Sequence, residues 1–140
     1  MEVHEVPEGL HELDERGARA GHGGAAGLIK QASGDAELSC SVPCALSFFL
    51  KQGTLREQYA KAAWRALAME TLKIDYHLDL AYYYLGMAAA ALGFKDAGRK
   101  YLNLAIAASA SKESSCADGI LVRCGELDIR TAAQSALAQM

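Results

Sequence analysis

Four cysteines carry most of the chemistry this 140-residue sequence could do, and they stand as two local pairs, Cys40-x3-Cys44 and Cys116-x7-Cys124. An even number of cysteines in a small chain fits an oxidising compartment. Four cysteines allow three connectivities, and sequence alone does not choose among them. Asp118-Gly119, a turn dipeptide inside the second pair, favours local closure of Cys116 with Cys124. Cys40 and Cys44 could share one helical face, and with Cys116 and Cys124 they would offer a four-sulfur zinc site. Only the first pair has the short spacing usual for structural zinc. That pair also precedes an expected helix start, where thiols become more acidic, so thiol-redox chemistry is a further alternative. Disulfides are the preferred reading, with no metal and no cofactor expected.

Other catalytic patterns are missing. A cysteine nucleophile needs a histidine and an orienting group beside it. His77 is the only histidine outside the amino-terminal stretch, and it falls near the start of an expected helix. There is no nucleophile-elbow serine, no HExxH and no paired-carboxylate motif, so no enzymatic activity is expected. Net charge is −3 with the basic residues dispersed, which argues against nucleic acid as a partner.

The elements that must position the cysteines are helical. Hydrophobic residues make up 51% of the chain and charged ones 22%, enough for one domain with a core. Residues 1–26 read as an acidic, glycine-rich arm. Six acidic residues precede any Lys or Arg, and His22-Gly23-Gly24 follows. Residues 27–140 read as a single all-α domain. A short helix ends near Gly34. A second starts at Ser41-Val42-Pro43, with serine as N-cap and proline in the first turn, carries Leu46, Phe48, Phe49 and Leu50 into the core, and stops near Gly53. Thr54, with Glu57 three residues on, forms a capping-box pattern and opens a third helix that runs to about Lys73. Asp75 caps a fourth, over about 76–92, which Gly93 terminates. A fifth runs from Asp96 to about Ser109. The cysteine loop follows, with an extended piece at Ile120-Leu121-Val122. A closing helix spans about 129–139, with Ala132, Ala136 and Leu137 on its inner face. The longest uncharged run, Leu80 to Phe94, is shorter than the ~20 residues of a membrane span.

Within this frame Tyr82, Leu85, Gly86 and Ala89 recur at helical spacing, followed by Ala97, Tyr101, Leu104 and Ala105. Leu85-Gly86 and Ala97-x3-Tyr101 match the Leu-Gly and A-x3-F elements of the tetratricopeptide repeat, with Tyr82 in the tryptophan place, Ala89 in the tyrosine place and the closing proline missing. Those eight residues are the expected repeat core. In such a repeat the first helix lines a concave groove. The groove set is then Tyr83, Met87 and Ala90, with Leu80 and Tyr84 at its margins, and Tyr and Met suit peptide recognition.

The run from Ala62 to Ser109, with its Leu-Ala-Tyr-Tyr-Leu-Gly helix pattern and its Ala-x3-Tyr helix, resembles a group of small bacterial tetratricopeptide-like envelope lipoproteins. The resemblance covers about the carboxy-terminal two thirds of the chain. Cys116 and Cys124 match the paired loop cysteines of that group, whereas the arm and Cys40/Cys44 fall outside the match. It implies a periplasmic or outer-membrane-anchored location, and together with the groove this gives the expected function: a non-enzymatic adaptor that holds a peptide or helix of another protein, in secretion, pilus or envelope assembly. Met1 runs directly into Glu2, His4 and Glu5, so an envelope location expects a leader removed from this sequence. A cytosolic chaperone using the same groove is the remaining alternative.

Overall fold

A computed structural model describes residues 31–118, 122 and 124–140. The arm at 1–26, the start of the first short helix, Gly119 and the extended piece at 120–121 lie outside the described residues. Five α-helices follow one another: α1 (Val42–Ala60), α2 (Trp64–Ile74), α3 (Asp79–Ala91), α4 (Lys95–Ser109) and α5 (Ile129–Ala138), with a 3-10 turn at Cys116–Asp118 before α5. No strand occurs among the described residues, in keeping with the all-α expectation.

The central packing event joins α3 to α4. Gly93, at φ +101°, turns the chain between them. A Cβ built on Gly86 would lie 2.7 Å from Cγ of Leu102, and one on Gly98 would lie 3.0 Å from Cβ of Ala90. Residue 86 therefore faces 102 while 90 faces 98, which is the register of an antiparallel pair. Two glycines let the helix backbones approach; Gly98 also sits 3.1 Å from the Gly86 carbonyl by the same construction. Leu85, Ala88, Ala89, Ala97, Tyr101, Leu102 and Ala105 are buried along this seam. α2 packs against α3 on one side, α5 packs mainly against α4, and α1 packs against α2.

Two boundaries differ from the sequence reading. α1 does not stop at Gly53 but continues to Ala60, so Thr54 is an exposed mid-helix residue and caps nothing. A glycine inside a helix costs about 1 kcal/mol, and burial of Phe48 and Leu55 on either side of Gly53 offsets that cost. Glu57 reaches forward to Lys61 at 2.8 Å instead of back to Thr54. The break comes at residues 61–63, where Ala62 adopts φ +58°. There Tyr59 meets Trp64, Tyr83 and Tyr84 with ring centroids 5.5–5.9 Å apart, an aromatic corner that joins α1, α2 and α3. Asp75 likewise does not start α3. It ends α2 in the left-handed conformation at φ +65°, and α3 begins four residues later. Ser41 takes the N-cap place of α1 with Pro43 in the first turn, although its hydroxyl makes no capping bond.

Residues 34–41 cross the helices as an extended strap. The Ala36 N–H donates to the Tyr101 hydroxyl at 3.0 Å, the Leu38 N–H to the Tyr82 hydroxyl at 3.3 Å, and the Ser39 N–H to the Asp75 carboxylate at 3.2 Å. Cys40 then forms a parallel bridge with Tyr76.

Replacing Gly86 with Ala places a methyl group against the Leu102 side chain. Despite a helix-propensity gain of about 1 kcal/mol, we expect Gly86→Ala to lower stability by roughly 1–3 kcal/mol, read by denaturant titration. Gly53→Ala, whose Cβ meets nothing within 4 Å, should leave stability unchanged or raise it.

Candidate functional site

The expected groove on α3 is not a surface. Leu80, Tyr83 and Tyr84 are only 3–4% exposed and belong to the core. Met87 and Ala90 are half-buried, Met87 packed on the core and Ala90 facing Gly98. The physical reason is placement: α3 is flanked by α2, α4 and α5. A helix that is apolar on nearly every face, as DLAYYYLGMAAAA is, belongs inside. The Tyr83 hydroxyl is satisfied there. Tyr59 and Tyr83 share a 2.6 Å hydrogen bond. Burial pushes the Tyr83 phenol upward, and it pushes Tyr84 up to about 12. Of the expected repeat core, Leu85, Gly86, Ala89, Ala97, Tyr101 and Ala105 are buried and Tyr82 is half-buried. Leu104 is 42% exposed and is not a core residue.

The cysteines do assemble, as two local disulfides: Cys40–Cys44 with Cα atoms 5.7 Å apart, and Cys116–Cys124 at 5.3 Å. With all four sulfurs committed, the four-thiolate zinc arrangement is not formed. Both bridges flank the short link between α2 and α3. On one side the Cys40 N–H donates to the Asp75 carbonyl at 2.9 Å, and the His77 N–H donates to the Cys40 carbonyl at 3.2 Å. On the other, the Asp79 N–H donates to the Ser114 carbonyl at 2.7 Å. His77 Nδ1 and Ser114 Oγ share a 3.0 Å hydrogen bond, which gives this histidine a tethering role.

Asp79 is the residue that sequence reasoning passed over. It is only 1% exposed. One carboxylate oxygen accepts from the Leu80 N–H at 2.7 Å and from the Cys116 N–H at 2.9 Å. A carboxylate oxygen of Asp79 and both sulfurs of Cys116 and Cys124 lie within 4.8 Å of one another. Burial raises the Asp79 pKa to about 6, and the N–H donors of Cys116 and Leu80 only partly oppose the rise. A cavity of about 620 Å³ opens over this cluster, lined also by Ser115, Leu127, Asp128 and Arg130. Asp128 itself caps α5, accepting from the Thr131 N–H at 3.2 Å.

No family model, no curated protein and no solved structure matches this chain. Its chemistry is therefore read from its own geometry.

A second surface lies on α1. Leu46, Phe49 and Leu50 are 52%, 38% and 71% exposed. They stand at i, i+3 and i+4, so they share one face. Phe48 and Leu55 point the other way, into the core. Among the described helices α1 packs mainly on α2, which leaves its outer face open. Of the four residues expected in the core, only Phe48 is buried, because the run ALSFFL carries more apolar residues than one buried helix face can absorb.

The sign of the Asp79 shift fixes a pH dependence. With the folded pKa near 6 and an unfolded value of about 4, the folded state binds more protons between these values. Its stability therefore falls as pH rises from about 4 through about 6. Asp79→Asn keeps an acceptor for the Leu80 and Cys116 N–H groups and carries no charge. Thermal melts of this variant should lose that segment of the pH profile and should match or exceed the parent protein at pH 8.

Proposed function

We propose that this chain is a non-enzymatic interaction module of the bacterial cell envelope that docks an amphipathic helix of a partner protein. The observation that carries the reading is the exposed Leu46–Phe49–Leu50 stripe on α1. Large apolar side chains at i, i+3 and i+4 are what one helix offers another. Here the stripe lies on the outer face of the first described helix pair, where a stack of antiparallel helices would accept one more. The occupant is thus a helix with its own apolar stripe, one that completes the stack. The surface moves from α3, where the repeat analogy put it, to α1.

Two further observations support the setting. Paired disulfides suit a non-reducing compartment such as the periplasm and disfavour the cytosolic chaperone alternative. No described helix is long and apolar enough to cross a membrane. The glycine-mediated antiparallel α3–α4 pair, with its Leu-Gly and Ala-x3-Tyr signatures, supports a tetratricopeptide-like ancestry for the scaffold.

The test is photocrosslinking from position 50, with a probe at exposed Gln134 on α5 as reference, followed by titration of the captured segment as a synthetic peptide. We expect a helical segment crosslinked from position 50 only. Its affinity should fall about tenfold or more in Phe49→Ala and Leu50→Glu. Equal crosslinking from both positions, or unchanged affinity in both variants, would remove α1 as the docking face.

A further inference from the structure

The disulfide between Cys116 and Cys124 differs from the one at Cys40–Cys44 in its surroundings. Its two sulfurs are unequally placed: Cys116 is 1% exposed while Cys124 is half-buried. Both cysteines line the cavity, and a nucleophile entering from it reaches the more exposed Cys124 more readily, so that Cys116 is the sulfur that leaves. A departing thiolate at a buried position is costly unless a proton reaches it. The Asp79 carboxyl lies within 4.8 Å of that sulfur and is held in place by two N–H donors. Among the described residues, no other carboxylate or histidine joins two cysteines in this way. None of the ion pairs among them involves Asp79. A cap alone would be served by a neutral acceptor, so an ionisable group buried at this point calls for a use.

We propose that Cys116–Cys124 is a thiol–disulfide exchange site for dithiols of the same compartment, and that Asp79 carries the proton to and from the Cys116 sulfur. In the reductive direction a thiolate of the incoming dithiol attacks Sγ of Cys124 and forms a mixed disulfide. The Cys116–Cys124 bond breaks, and its electron pair leaves on Sγ of Cys116, which takes the proton of the Asp79 carboxyl. The second thiol of the reductant, deprotonated, then attacks its own sulfur in the mixed disulfide. Cys124 leaves as a thiolate and is protonated from water, and Asp79 regains its proton from water. The net change is protein disulfide plus dithiol to protein dithiol plus the reductant's disulfide. In the oxidative direction the Asp79 carboxylate accepts the Cys116 thiol proton. Among the described residues, the other titratable and charged groups around the carboxyl are Tyr76 and His77 on the α2–α3 link, and Glu126, Asp128 and Arg130 around the cavity. Glu126, Asp128 and Arg130 are exposed, and His77 is engaged with Ser114.

The experiment reduces the intact protein with dithiothreitol from pH 5 to pH 8, quenches by alkylation and follows each disulfide separately by peptide mass mapping. Rates are divided by the thiolate concentration. The proposal expects the normalised rate at Cys116–Cys124 to rise as pH falls through about 6, and to exceed that of Asp79→Asn by roughly tenfold or more at pH 5. Asp79→Asn should give a flat profile, and Cys40–Cys44 in the same molecule should also be flat. A purely structural Asp79 predicts the opposite slope, because protonation then stabilises the fold and slows opening at low pH. A flat or falling profile toward low pH at Cys116–Cys124 overturns the proposal, as does a parallel rise at Cys40–Cys44. The parent protein alone decides the question if Asp79→Asn does not fold.

Discussion

The close approach of α3 and α4 through Gly86 and Gly98 is the constraint from which the other features of the domain derive. With no side chain between them, the two backbones bring Leu85, Ala88, Ala89, Ala97, Leu102 and Ala105 into one seam. Once α4 covers one flank of α3 and α2 another, the tyrosines of α3 have nowhere to go but inward. Two of their hydroxyls find partners there, where an unmade hydrogen bond costs about 1–3 kcal/mol. Tyr83 finds Tyr59, and Tyr82 finds the backbone of Leu38. Tyr101 on the facing helix finds Ala36. The aromatic corner and the strap are both consequences of a helix pair packed too tightly to leave its phenols in water.

The link between α2 and α3 is the second organising feature. Its four residues and the Asp79 that follows receive the Cys40 bridge on one side and the Ser114–Cys116 segment on the other. Asp79 sits where the link becomes helix, at the positive end of α3, which eases the presence of a buried negative charge. The same carboxylate that steadies the first turn of α3 also fixes the start of the cysteine loop, and through the disulfide it reaches the segment leading into α5. Chemistry and architecture meet at one side chain, and a domain of this size gains more from such cross-links than a larger one would.

Much of the scaffold was legible in the residues. Gly93 as terminator, Asp96 in the first turn of α4, the end near Ser109 and the last helix all follow from capping and periodicity. So does the adjacency of Cys116 and Cys124. What failed was local grammar that tertiary packing overrode. Gly53 and Thr54 carry stop and start signals, yet Phe48 and Leu55 hold one continuous helix across them. Asp75 looks like a helix N-cap and is a left-handed C-cap instead. The groove on α3 failed for a different reason. A repeat template assigns one face of the helix to a partner, but it cannot say that α2, α4 and α5 will cover that face. Asp79 was missed because nothing in its neighbourhood of sequence shows that residues 114–124 return to it.

The strap has a mechanical consequence. Its contacts to Tyr101, Tyr82 and Asp75 come in chain order from Ala36 to Ser39, and the Cys40–Cys44 bond follows them. Tension entering from the amino-terminal side therefore reaches the buried Gln31 bond to the Leu85 carbonyl before these hydrogen bonds, which follow it in chain order. At Cys40 the force passes through the sulfur–sulfur bond into the first turn of α1, bypassing residues 41–43. This segment is tied to the α3–α4 pair by the two phenol contacts, the Gln31 side-chain bond to the Leu85 carbonyl and the Asp35–Lys100 ion pair, none of which belongs to the seam between the two helices.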